Sequence, residues 1–92
     1  MARLTFEWDA ADDEAGNVAH ITRHGVTTSE AEYVVRNPNN DMVRSESSTY
    51  PITFGRTKTG KHLAVVWSAV GTNPMVIRVI TAYPVNPPKG RR

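Results

Sequence analysis

Cysteine is absent from the 92 residues. That excludes a disulfide framework and a thiolate metal site, and it fits a reducing compartment, so we expect the cytoplasm. Long apolar runs are absent as well. No stretch approaches the ~20 residues of a membrane-spanning helix, and the first residues lack the apolar core of a signal peptide. Acid is missing from the second half. From Arg56 onward the charged residues are Arg56, Lys58, Lys61, Arg78, Lys89, Arg91 and Arg92, all basic. Residues 7 to 14 instead hold Glu7, Asp9, Asp12, Asp13 and Glu14 with no base. Net charge is only +2. The asymmetry, more than the sum, points to a polyanion or an acidic partner; the alternative is a solvated surface with a basic tail.

A chain of this length allows one small domain with one modest core. We expect that domain over residues 1–83, followed by a proline-rich basic tail over 84–92. The densest β signal lies between Tyr50 and Tyr83. Three segments, Tyr50–Arg56, His62–Ser68 and Met75–Tyr83, are rich in β-branched and aromatic residues. Thr57-Lys58-Thr59-Gly60 and Gly71-Thr72-Asn73-Pro74 separate them as turns. Apolar residues fall on both faces of the last two segments, which places them centrally with both faces covered. Arg78 interrupts this run between Ile77 and Val79. An unpaired buried guanidinium is very costly, so Arg78 either pairs with a carboxylate or opens into an anion-binding cleft.

Upstream, Leu4–Trp8 alternates as a strand, with Leu4, Phe6 and Trp8 on one face. Asp9 suits an N-cap, and a helix is expected from Ala10 to His24, stopped by Gly25. Its light apolar side would be Ala11, Ala15, Val18, Ile21 and Thr22. His20 and His24, four apart, have the spacing to share a metal ion, with Asp13 and His62 as further ligands. The plainer reading leaves His24 at a helix carboxy end, where the dipole favours its charged form. Thr27 and Glu30 read as the capping box of a second helix that ends at Asn37-Pro38. Met42–Arg44 reads as a short strand. Trp8 and Trp67 read as core.

The ordered set Phe6-Glu7-Trp8-Asp9, Arg23-His24-Gly25-Val26, Phe54-Gly55-Arg56-Thr57 and Val76–Ala82 resembles the BrnT toxin family. The resemblance spans Phe6 to Tyr83. It implies an α+β fold of the RelE-like sort, with two amino-terminal helices packed on a mainly antiparallel sheet of four to five strands. It implies a type II toxin that cleaves RNA without a metal or other cofactor. It also implies a cognate DNA-binding antitoxin, and hence a hetero-oligomer, beside the possibility of a homodimer. Two positions depart from the family pattern. Tyr50 stands where an arginine is usual, and Tyr83-Pro84 stands where arginine and a basic helix usually follow. They open a second reading, a module that binds antitoxin or nucleic acid without cleaving it.

Metal-free RNA cleavage needs a base for the 2′-OH, cations for the developing phosphoryl charge and an acid for the leaving 5′-oxygen. The candidate catalytic residues are Arg56, Arg78, His24 and Tyr83. Lys58, Lys61, Tyr50 and His62 are candidate RNA contacts, the tyrosine through base stacking. His62, like His24, is also a candidate acid or base, since an imidazole side chain can both accept and donate a proton. The strongest form of this expectation has Arg56 and Arg78 converging on one pocket.

Overall fold

The computed structural model describes residues 4–37, 41–44, 50–72 and 74–86. Within them the chain forms β1 (Leu4–Glu7), α1 (Asn17–Arg23), α2 (Thr28–Arg36), β2 (Asp41–Arg44), β3 (Pro51–Arg56), β4 (His62–Gly71) and β5 (Met75–Pro84). The strands make one sheet in the order β1-β5-β4-β3-β2. β1 runs parallel to β5, and the other pairings are antiparallel. The architecture is therefore α+β, with both helices on one face of a mainly antiparallel sheet. Among the described residues no helix is long and apolar enough to cross a membrane.

The core lies between the helices and that face. Ile21, Val26, Ala31 and Val34 meet Leu63, Val65, Val79 and Ala82, with Phe6, Trp8, Val35 and Trp67 partly buried at its margin. Val79 and Ala82 are three apart, yet both face inward. Val66 pairs with Thr81 and Trp67 with Val79, so Ile80 is an extra residue in β5. Such a bulge shifts the alternation by one. The two indoles sit at the core edge with their N–H groups satisfied, Trp8 donating to Glu32 at 2.7 Å and Trp67 to Thr53 at 2.8 Å.

Local chemistry explains the elements that formed as expected. In α2, Thr27 accepts from the Glu30 amide at 3.1 Å, and Glu30 accepts from the Thr27 amide at 3.0 Å. The capping box is complete. Gly60 ends the β3–β4 turn at φ 96°, a conformation that favours glycine.

Four expectations are corrected. The first helix begins at Asn17, not Ala10, because Asp9 caps nothing at Ala10. Its carboxylate instead accepts from the Asn17 amide at 3.0 Å and binds Arg78. Residues 10–16 form turns, and the close approach of Gly16 to Asp9 leaves no room for a side chain: a Cβ there would lie 2.6 Å from Asp9 Cβ. Ala11 and Ala15 are consequently exposed rather than part of an apolar face, and Thr22, within α1, is exposed as well. β4 extends three residues further than expected, to Gly71. The sheet also has no second covering layer among the described residues. Ala64 is buried on the helix-free side, where its cross-strand partners are Phe54 and Tyr83. The expected tail begins inside β5, which includes Pro84, and residues 87–92 lie outside the described residues.

Candidate functional site

The β3–β4 turn brings Arg56 directly opposite His62. Side chains opposed in this way have Cβ atoms roughly 4.5–5.5 Å apart. One rung further along, Ala64 pairs with Tyr83, so Tyr83 lies diagonally across from His62 on the same face. The Tyr83 ring approaches the His24 ring with centroids 6.3 Å apart, and His24 meets His20 edge-on at 5.1 Å. By register Arg56, His62 and Tyr83 lie on the helix-free side of the sheet, Tyr83 reaching the rings at the end of α1, and Arg56, at the end of β3, also borders the hollow beside Tyr33 and Asn37. Arg56 and Lys58 are exposed, and neither their side chains nor the His62 imidazole has a hydrogen-bond or ion-pair partner among the described residues.

Arg78 is elsewhere. It pairs with Ser68, while Arg56 pairs with His62. Six residues of β4 and two inter-strand steps separate the two arginines, or roughly 22 Å between Cα atoms. They share a face by register but do not converge. Arg78 is also occupied. Its Nη2 donates to Asp9 Oδ2 at 2.8 Å, its Nη1 to Asp9 Oδ1 at 3.2 Å, and Nη1 approaches Glu7 Oε1 at 3.4 Å. The hydrogen bond from Arg78 holds the Asp9 carboxyl below its usual range, and the Asn17 amide adds to the effect. The Arg78 pKa is raised in turn, chiefly by Asp9.

Asn17 completes this cluster. Its side-chain amide donates to Val79 O at 3.0 Å and Glu7 O at 3.2 Å, and its carbonyl accepts from the Asp9 amide at 2.9 Å. β1 stops pairing with β5 at Glu7, so the Val79 carbonyl needs another partner. Asn17 supplies it from a buried position. The Arg78 alternative that holds is the carboxylate pair.

Lys61 is likewise committed to structure. Its Nζ donates to Gly25 O and lies 3.3 Å from Glu30 Oε1, which ties the β3–β4 turn to the start of α2. Glu30 is pulled below its ordinary range by the Thr27 amide first and by Lys61 after it, against the opposing effect of burial. Tyr50 precedes β3 at the end away from Arg56, and the structure does not bring the two together. Of the eight candidates, Arg56, His62, Tyr83 and His24 fall in one row, with Lys58 beside it in the turn. Arg78, Lys61 and Tyr50 lie apart or are engaged. Among the described residues no group of three metal-ligating side chains surrounds His20 and His24.

Tyr33, on α2, is not among the candidates that the sequence offered. It is 37 % exposed and faces the β3–β4 turn across a groove. An aromatic outside the i, i+3, i+4 core positions Ala31, Val34 and Val35 was the available signal.

Comparison with protein-family models and with curated proteins finds no match to this chain.

Proposed function

We propose that the protein is a BrnT-like, RelE-like type II toxin, a cytoplasmic metal-independent endoribonuclease restrained by a DNA-binding antitoxin. The observation that carries this reading is Arg56, without a side-chain partner among the described residues, directly across from His62, with Tyr83 on the next rung. His62 takes the proton of a 2′-OH as its oxygen attacks the adjacent phosphorus. Arg56 stabilises the negative charge that develops on the phosphoryl oxygens, where a guanidinium can grip two oxygens at once. The P–O5′ bond breaks, and the 5′-oxygen leaves with a proton from Tyr83. The products are a 2′,3′-cyclic phosphate and a free 5′-hydroxyl. His24, against the Tyr83 ring, positions that phenol. Arg78 belongs to the scaffold in this scheme.

A defined oligoribonucleotide tests the chemistry. Wild-type protein should cleave it in the presence of EDTA and leave a cyclic phosphate. Replacing the scissile 2′-OH by hydrogen should abolish cleavage, and cleavage of the 2′-deoxy substrate would refute the mechanism.

One observation favours the second reading, binding without cleavage. With Arg78 held by Asp9 and Glu7, Arg56 is the sole arginine in the row. RNA that binds but stays intact, with no growth arrest on expression, would establish that reading.

A further inference from the structure

Two hollows flank Tyr33 where α2 faces the β3–β4 turn. One, of about 300 Å³, is bounded by Ser29, Glu30 and Tyr33 on the helix side. The other, of about 540 Å³, is bounded by Tyr33 and Asn37 on the helix and by Arg56 on β3. Thr57, Lys58 and Thr59 wall both. Together they form a groove of the size that small organic groups occupy, roughly 300–1,000 Å³. We propose that this groove is a single-stranded RNA subsite in which Tyr33 stacks one unpaired base while Arg56 and Lys58 hold the neighbouring phosphates. The subsite adjoins the Arg56–His62 rung and rests on the reading that the protein acts on RNA.

Three features argue for this occupant. Tyr33 is exposed although it projects from a helix whose aliphatic side chains are largely buried. A phenol ring at a groove offers a π-face to any base. The cations are available, since Arg56 and Lys58 have no side-chain partner among the described residues. Glu30, the one acid among the described residues that line the groove, is paired with Lys61 at 3.3 Å and accepts a hydrogen bond from the Thr27 amide. The groove therefore presents net positive charge beside an aromatic face, the combination that tracks single strands. A base within a duplex is stacked on both sides and cannot reach Tyr33. An acidic peptide would satisfy the cations but would leave the ring without a stacking partner.

The test is binding, measured by fluorescence anisotropy at several salt concentrations. The probe is a short single-stranded oligoribonucleotide carrying 2′-O-methyl groups, so that cleavage does not enter. Tyr33→Ala should weaken binding about tenfold without changing the salt slope, whereas Tyr33→Trp should retain it. Arg56→Ala and Lys58→Ala should each lower the slope of log K against log salt by about 0.7. Duplex RNA of the same sequence should bind more weakly. Equal affinity of wild type and Tyr33→Ala, with the variant folded by circular dichroism, would overturn the subsite. So would absence of oligonucleotide binding by wild type, or displacement of the probe by poly-glutamate with Tyr33→Ala indistinguishable from wild type. Cleavage of unmodified RNA by a Tyr33→Ala protein at the wild-type rate and affinity would remove the subsite and leave the proposed ribonuclease standing.

Discussion

Arg78 and Asp9 face each other with two parallel hydrogen bonds, Nη2 to Oδ2 at 2.8 Å and Nη1 to Oδ1 at 3.2 Å. This bidentate pair joins β5 to the segment that leaves β1. It explains how an arginine is tolerated in the middle of an apolar strand. Charge-assisted bonds of this geometry are stronger than neutral ones, and their orientation is specific. Arg78→Lys keeps the charge but loses the fork. We expect Arg78→Lys and Asp9→Asn both to lower the melting temperature while His62 and Arg56 remain in register. Thermal unfolding followed by circular dichroism checks this; unchanged melting in both variants would contradict it.

Asn17 is the more sensitive member of the cluster. Its side chain satisfies the Val79 and Glu7 carbonyls and the Asp9 amide. Truncation leaves polar groups without partners in a largely dry place. Asn17→Ala should cost about 1–3 kcal/mol per group left unsatisfied, with partial relief where water enters. Urea denaturation of the variant measures the loss, and a midpoint equal to wild type would show that the amide bridge is dispensable.

Acid should destabilise the fold through identifiable groups. Asp9 and Glu30 are held below their ordinary values of 3.8 and 4.5. A carboxyl with a depressed folded pKa stabilises fully above its unfolded value. That stabilisation is lost as pH falls through the folded value. The urea midpoint should therefore be insensitive to these two groups from about pH 6 to 7 and should fall below about pH 4. Asp9→Asn should flatten part of that acid limb. An acid limb of undiminished steepness in the variant would contradict the assignment.

The α2 cap offers a simpler check. Thr27→Ala removes one half of the capping box and should cost about 1 kcal/mol. For a chain of this size that is a fall of roughly 4–8 °C in melting temperature. Thr27→Asn, which can still cap, should restore most of it.

Much of this fold was legible because the signals were local. The capping box at Thr27 and Glu30, the turn at Gly60 and the β-branched runs of β4 and β5 each act within a few residues. Leu4–Glu7 also formed as a strand. The misplaced start of α1 has a different cause. Asp9 carries a capping residue's chemistry, but its strongest partner, Arg78, is 69 residues away. No local pattern reveals which of two suitable uses a carboxylate will take. Lys61 shows the same difficulty, since its partners Gly25 and Glu30 lie 36 and 31 residues away, between the end of α1 and the first turn of α2. The apolar residues Ala64 and Val66 suggested a covered face because short side chains read as buried whether a second layer or flanking strands do the covering. The row Arg56, His62, Tyr83 and His24 was legible residue by residue. Its assembly depends on register, and so does the separation of Arg56 from Arg78.

The most direct measurement is single-turnover cleavage of an oligoribonucleotide in EDTA by wild type, Arg56→Ala, His62→Ala and Arg78→Lys, each confirmed folded. The account predicts a loss on the order of 10²–10³-fold for the Arg56 variant and on the order of 10²–10⁴-fold for the His62 variant. Arg78→Lys should cleave at close to the wild-type rate below its melting temperature. Arg56→Ala or His62→Ala cleaving as fast as wild type, while Arg78→Lys is inactive, would contradict it.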